Sequence, residues 1–143
     1  MTVTQLNARK APLDIARELA GEFALTAVER DAQGGTPKHQ RNLLRDSGLL
    51  AMSIPGQFDG LNATWSETFE VVREFARGDS SIAHVFGFHH LMLATVRLFA
   101  KPSQWQPWFK LTANKNWYWG TTLNPLDTRT VVKEREGWRE FAG

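Results

Sequence analysis

Apolar and polar positions follow helical spacing through the first two thirds of the chain. Over residues 12–31 the stripe Ala16, Leu19 with Ala20, Phe23 and Ala27 predicts one amphipathic helix. Pro12 is tolerated in its first turn, where a backbone N–H has no intrahelical partner to lose. Gln33-Gly34-Gly35 interrupts the pattern, Thr36-Pro37 restarts it as a short helix carrying Leu43 and Leu44, and Gly48 closes that helix. An apolar link over 49–54 leads to Pro55-Gly56-Gln57-Phe58-Asp59-Gly60, a turn-rich loop. Thr64, with Glu67 three residues on, fits a capping box and opens a helix ending at Gly78. Its predicted inner face is Phe69, Val72 and Ala76, and its outer face is Glu67, Glu70, Arg73 and Glu74.

The next helix is of a different kind. Asp79, Ser80 and Ser81 offer cap oxygens to its free N–H groups, and from Ile82 to Phe99 it is apolar on nearly every side, the pattern of a helix enclosed by neighbours. A membrane span is rejected, because His84, His89, His90 and Arg97 interrupt the run and no uncharged stretch reaches the ~20 residues that a bilayer requires. The histidines then belong inside or beside a protein core.

After Phe99, Lys101-Pro102 stops the helix and Ser103 with Gln106 reads as a new cap, followed by a short helix with Trp105, Trp108 and Phe109. The period then changes. Residues 116–124 (NWYWGTTLN) are aromatic and threonine-rich, residues 128–133 are β-branched, and Gly137 precedes Trp138, which together predict strands joined by turns. A few strands with no later partners leave open edges and an uncovered face, so the sequence reads as cut off just inside a second, β-rich domain. The expected division is a helical part over 1–115 and the start of a β-domain over 116–143.

Composition narrows the function classes. With 143 residues, 42% of them hydrophobic and 22% charged, the chain has the make-up of an ordinary globular domain. A formal charge of only +2 with no basic run argues against nucleic acid as a partner. The absence of cysteine excludes disulfides, thiolate catalysis and cysteine-based metal sites. Residues 1–14 lack the apolar core of a secretory signal, which makes a cytoplasmic location the expectation. Five of the six tryptophans (Trp105, Trp108, Trp117, Trp119 and Trp138) fall in the last third, where they are expected to bury a large surface.

Four motifs, in order, carry a resemblance: Asp46-Ser47-Gly48-Leu49-Leu50, Ile54-Pro55, Phe58-Asp59-Gly60 and Ala76-Arg77-Gly78-Asp79-Ser80-Ser81. Their collinearity resembles the N-terminal part of the acyl-CoA dehydrogenase superfamily of flavoproteins. Phe88-His89-His90 and Leu123-Asn124-Pro125 are most similar to its flavin-dependent monooxygenase branch, that of dibenzothiophene monooxygenase and the sulfone-related enzymes. Acyl-CoA dehydrogenases carry Leu-Thr-Glu-Pro and then Ala-Gly-Ser-Asp near the flavin ring. Here Leu123 stands in place of that threonine, Asn124 in place of the glutamate, and Leu126-Asp127-Thr128 in place of the glycine-serine loop. The fold class that the resemblance implies is mainly α, a helical N-terminal domain followed by the first strands of an incomplete middle β-domain. It also implies a flavin cofactor (FMN or FAD), a small apolar or sulfur-containing substrate, a flavin reductase as partner, and a homotetramer for the whole protein.

The candidate site residues follow from that likeness. One of His89 and His90 is expected near the flavin, where neutral imidazole can hydrogen-bond or relay a proton. Adjacent helical side chains point about 100° apart, so the two are not expected to share one cavity. Either fits equally well a core position satisfied by a backbone carbonyl. Asn124 can donate its amide to a flavin oxygen or serve as an ordinary Asn-Pro turn. Thr121, Thr122 and Leu123 are the other candidate cofactor contacts. Trp117, Tyr118 and Trp119 read as the wall of a substrate pocket or as packing between domains. His84 makes no helical ligand pair with His89, and no metal is expected. Two further readings stay open: oxidation of an acyl-CoA by FAD, and a non-catalytic helical module.

Overall fold

The computed structural model describes residues 10–120, 131–136 and 138–142. Six helices come first: α1 (Pro12–Ala24), α2 (Ala27–Gln33), α3 (Lys38–Ser47), α4 (Trp65–Gly78), α5 (Ser80–Phe99) and α6 (Pro102–Lys115). Two 3₁₀ turns, Leu49–Ala51 and Gly56–Phe58, lie between α3 and α4, and strands β1 (Val131–Arg135) and β2 (Trp138–Ala142) follow. The strands form an antiparallel hairpin with Val131 opposite Ala142 and Arg135 opposite Trp138.

The single helix expected over 12–31 is two helices. Thr26 leaves helical geometry at φ −125°, ψ 5°. Arg30 reaches back across the break, donating from Nε to Thr26 Oγ1 at 3.0 Å and from one terminal nitrogen to the Phe23 carbonyl at 3.0 Å. The same nitrogen meets Asp79 Oδ2 at 2.5 Å. The guanidinium thus supplies donors that a continuous helix would have supplied itself, and ties the break to the α4–α5 junction. Asp79 also caps α5, as its sequence position predicts, accepting from the Ser81 and Ile82 N–H groups at 2.9 and 3.1 Å. Burial pushes the Asp79 carboxyl up, but hydrogen bonds from Ser81, Arg30 and Ile82, with the Arg30 charge, outweigh it and hold the group below its ordinary range.

The capping box of α4 is present, with Thr64 Oγ1 accepting from the Glu67 N–H at 3.2 Å and Glu67 Oε2 accepting from the Thr64 N–H at 2.7 Å. The inner face of α4 differs from the expected one by a rotation of one residue. Thr68, Val71, Glu74 and Phe75 are buried, whereas Phe69 is 61% exposed beside Trp65. Two overlapping stripes exist in this helix, and packing against α1 selects the one that sets Phe75 against Phe23, ring centroids 5.5 Å apart. Glu74, expected outside, is buried with its carboxylate held by Arg77 Nη1 at 2.9 and 3.0 Å. The helices lie so close that a Cβ on Gly78 would stand 2.2 Å from the Ala20 carbonyl oxygen.

α5 is enclosed on one side only. Ile82, Ala83, Phe86, His89, His90 and Leu93 are buried, while Leu91, Leu98 and Phe99 are exposed. By length and composition it is the one helix among the described residues long and apolar enough to cross a membrane. α6 opens earlier than the Ser103 cap predicts: Pro102 takes the first helical position, and Gln104 Oε1 accepts from the Lys101 N–H at 3.1 Å. It ends at Asn116, in the left-handed region at φ 51°. The strand expected over 116–124 does not begin there, since Asn116 caps a helix and residues 117–120 are irregular; residues 121–124 lie outside the described residues.

Two buried clusters result. The larger gathers Phe23, Leu44, Leu49, Leu50, Phe75, Ile82 and Phe86, and the smaller gathers Ile54, Leu93 and Phe109. Along α5, His89 and His90 fall between Phe86 of the first and Leu93 of the second.

Candidate functional site

The site is built around the inward turn of α5. An apolar helix face interrupted by two imidazoles must find polar partners for four ring nitrogens or lose their hydration uncompensated. The partners come from the segment after Gly48 and from the chain leaving α6. Gly48, at φ 79°, turns α3 into the Leu49–Ala51 3₁₀ turn and lays that backbone along α5.

His89 engages both nitrogens. Nε2 donates to the Leu50 carbonyl at 2.8 Å, and Nδ1 accepts from the Trp119 N–H at 3.0 Å. A carbonyl can only accept and an amide N–H can only donate, so these two partners assign the tautomer: the proton is on Nε2 and Nδ1 is bare. His90 is hydrogen-bonded through Nδ1 to Ser53 Oγ at 2.7 Å, and its buried Nε2 has no hydrogen-bond partner. Both residues have 0% exposure. Burial pushes His89 down to about 4, with the Leu50 carbonyl opposing it. Burial and then the neighbouring His89 push His90 down to about 3, with the Leu49 backbone opposing. Both imidazoles are therefore neutral at pH 7.

The two rings meet edge to face, with centroids 4.8 Å apart and planes at 80°. The divergence expected of neighbouring side chains thus sends them to different partners within one interior.

Trp119 is held at two points, by its backbone N–H on His89 and by its indole Nε1, which donates to Thr112 Oγ1 at 2.7 Å. Thr112 is buried, and its hydroxyl donates in turn to the Trp108 carbonyl at 2.7 Å. The left-handed Asn116 makes this possible by turning the chain back onto α6, where the Asn116 and Trp117 N–H groups both point to the Thr112 carbonyl. Tyr118 packs its ring 5.3 Å from that of His89, under the Arg41 guanidinium at 5.9 Å. Its hydroxyl is buried without a hydrogen-bond partner, and burial pushes the phenol well above its ordinary range against the charges of Arg41 and Arg45.

Of the candidate residues, the structure brings together His89, His90, Tyr118 and Trp119. Thr121, Thr122, Leu123 and Asn124 lie outside the described residues. Sequence reasoning missed Ser53, Thr112 and the Leu50 carbonyl. Ser53 and Leu50 pair with histidines 37 and 39 residues away, separations that no local pattern encodes. Among the described residues no group of three or more His, Asp or Glu side chains comes together as a metal site.

Comparison with known proteins gives this geometry a setting. The chain is 72% identical over 131 residues to the probable FMNH2-dependent monooxygenase SfnC of Pseudomonas putida, covering 92% of this chain and 33% of that protein. The methanesulfinate monooxygenase MsuC of Pseudomonas fluorescens superposes with a TM-score of 0.85 at 72% identity, over 94% of this chain and 35% of that one. The dibenzothiophene monooxygenase TdsC of Paenibacillus sp. A11-2, solved with FMN and indole, superposes with a TM-score of 0.72 at 40% identity, over 74% of this chain and 27% of that one. The chain therefore spans about a third of the length of these relatives. The family model for the acyl-CoA dehydrogenase N-terminal domain matches residues 8–116, and by that match and these likenesses the chain belongs to the acyl-CoA dehydrogenase N-terminal domain family.

Proposed function

We propose that this chain serves as the helical N-terminal part of a reduced-flavin-dependent monooxygenase that oxygenates a small sulfur compound. The observation that carries the reading is the 72% identity to the probable FMNH2-dependent monooxygenase, which extends over 92% of this chain. The similarity to a methanesulfinate monooxygenase favours a small sulfinate as substrate, and the FMN-bound TdsC favours FMN over FAD. When bound, reduced flavin supplies two electrons, with which one atom of O2 passes to sulfur and the other leaves as water.

In this reading the boundary between helical and β-rich parts falls after Lys115, where α6 ends. Thr121, Thr122, Leu123 and Asn124 make the flavin contacts, with the Asn124 amide donating to a developing negative charge. The described residues fit such a site in one respect: Trp119, two residues before Thr121, is anchored to the helical body at both its backbone and its indole. His89 and His90, with no exposed surface, support the site through their partners. A flavin reductase supplies the reduced cofactor, and the whole protein assembles as a homotetramer.

The test is to express the chain with the reading frame that follows Gly143 and supply FMN, NADH, a flavin reductase, O2 and methanesulfinate. The expected result is methanesulfonate, formed in step with oxygen uptake above the uncoupled rate. No sulfonate, together with anaerobic bleaching of bound flavin by a short-chain acyl-CoA, would overturn the reading in favour of acyl-CoA oxidation.

A further inference from the structure

The ends of α3 and α6 meet at a cavity of about 650 Å³ that neither His89 nor His90 lines. Arg45 from the last turn of α3, Lys115 from the last turn of α6 and residues 116–120 form its walls. Cations at such places have an ordinary use, because a helix C-terminus carries about −0.5 of a charge on its unpaired carbonyls. Here the positive charge exceeds that need. Arg41, one turn before Arg45, lies over the Tyr118 ring at 5.9 Å, so three full positive charges gather about two half-negative helix ends. The remainder is about +2. Lys10, Arg17, Arg30 and Arg77 each hold a carboxylate, whereas Arg41, Arg45 and Lys115 have no carboxylate partner among the described residues. Arg45 donates instead to the neutral Asn42 Oδ1, at 3.2 Å.

The backbone adds uncharged donors. The N–H groups of Asn116 and Trp117 go to the Thr112 carbonyl, and that of Trp119 goes to His89. Those of Tyr118 and Gly120, which both line the cavity, have no acceptor among the described residues. Tyr118 also keeps a buried hydroxyl without a partner, and the charges of Arg41 and Arg45 both reach its phenol.

We propose that this cavity binds a tetrahedral dianionic oxyanion, the chemistry shared by inorganic phosphate, sulfate and a phosphate monoester. Arg45 and Lys115 bring charge from two helices, and the Tyr118 and Gly120 N–H groups complete the donor set. Trp117, 43% exposed, offers an aromatic face to a group esterified to the oxyanion. The site uses no residue of 121–124 and is independent of the flavin reading above.

The test is an NMR titration of the ¹⁵N-labelled 143-residue chain with sodium phosphate and sodium sulfate, with sodium chloride at matched ionic strength as the control. Saturating shifts at the Tyr118 and Gly120 amides are expected, with a dissociation constant of about 1 mM, the strength of two or three charge-assisted hydrogen bonds in water. Arg45→Gln and Lys115→Gln are each expected to weaken binding about tenfold. Arg17→Gln, which removes a cation of α1 outside the cavity, is expected to leave it unchanged. The dispersion of each variant's spectrum shows that it remains folded. Shifts that fail to saturate, or that chloride reproduces, would overturn the site, as would phosphate binding indifferent to both Arg45→Gln and Lys115→Gln. FMN and riboflavin then distinguish the sources of the oxyanion. Displacement of phosphate by FMN and not by riboflavin assigns the site to a phosphate monoester, and displacement by neither, with phosphate bound, assigns it to a free inorganic oxyanion.

Discussion

The two sides of α5 are nearly alike in composition and opposite in fate. The inner side carries Ile82, Phe86, His89, His90 and Leu93, all buried. The outer side carries His84, Phe88, Leu91 and Leu98, of which Leu98 is 78% exposed. On the inner side three of four imidazole nitrogens have hydrogen-bond partners, and Phe86 packs edge to face on Phe75 at 5.0 Å and on His90 at 4.7 Å. On the outer side His84 stacks on Phe88 at 4.4 Å beside an open apolar groove of about 730 Å³, shared with Trp65 and Phe69. An apolar helix face is thus not a core face until something else supplies acceptors and closes over it. The backbone after Gly48 does so on one side, and no described element does so on the other.

Substitutions that distinguish the faces give the sharpest tests. Phe86→Ala removes a fully buried ring between two aromatic neighbours and is expected to cost about 3–5 kcal/mol in urea unfolding. A cost below about 1 kcal/mol would mean that the inner face is not closed. His89→Leu keeps much of the volume but strands the Leu50 carbonyl and the Trp119 N–H, at about 1–3 kcal/mol for each group left unpaired. His89→Gln, which retains a donor and an acceptor, is expected to recover part of that loss.

The pH dependence follows from the same burial. Both inner histidines have folded pKa values below the ordinary 6.5, at about 4 and about 3. Between pH 6.5 and those values the unfolded chain binds more protons than the folded one, so stability falls as pH falls. The expected slope is about 1.4 kcal/mol per pH unit for each histidine, and the loss is complete below both folded values. Denaturant midpoints measured from pH 7 to pH 4 check this, and a flat profile would place the rings in contact with water. The smallest effect is expected on the outer side, where Leu98→Ser changes stability by less than about 0.5 kcal/mol. A loss above about 2 kcal/mol there would reveal a covering contact on the outer face.

Particular residues show how far the sequence could be read. The Thr64 and Glu67 box, the Asp79 cap and the Gly48 stop were legible, because each depends on atoms within four residues of one another. The break at Thr26 was not, since it is held by Arg30 reaching to Asp79, 49 residues away. The choice between two stripes in α4 was equally hidden: Phe69 and Phe75 are both apolar aromatics at helical spacing, and only the approach of α1 decides which is covered. The same holds for the candidate site. His89 and His90 were conspicuous as the only paired histidines in an apolar run, but their partners Leu50, Ser53 and Trp119 are 30 or more residues distant.

By itself, then, the order of residues determined the helical character of residues 12–115, the ends of most helices, and membership in the acyl-CoA dehydrogenase N-terminal domain family through motifs set at fixed spacing. Those properties arise from backbone hydrogen bonds, caps and periodicity, which are local. Tertiary structure alone decided which side of α5 became interior, which nitrogen of His89 carries the proton, and that Thr112 holds Trp119. Each of these needs a donor and an acceptor, or two apolar faces, that come together only when separate helices pack, and the free energy of that packing is not written in either helix taken singly.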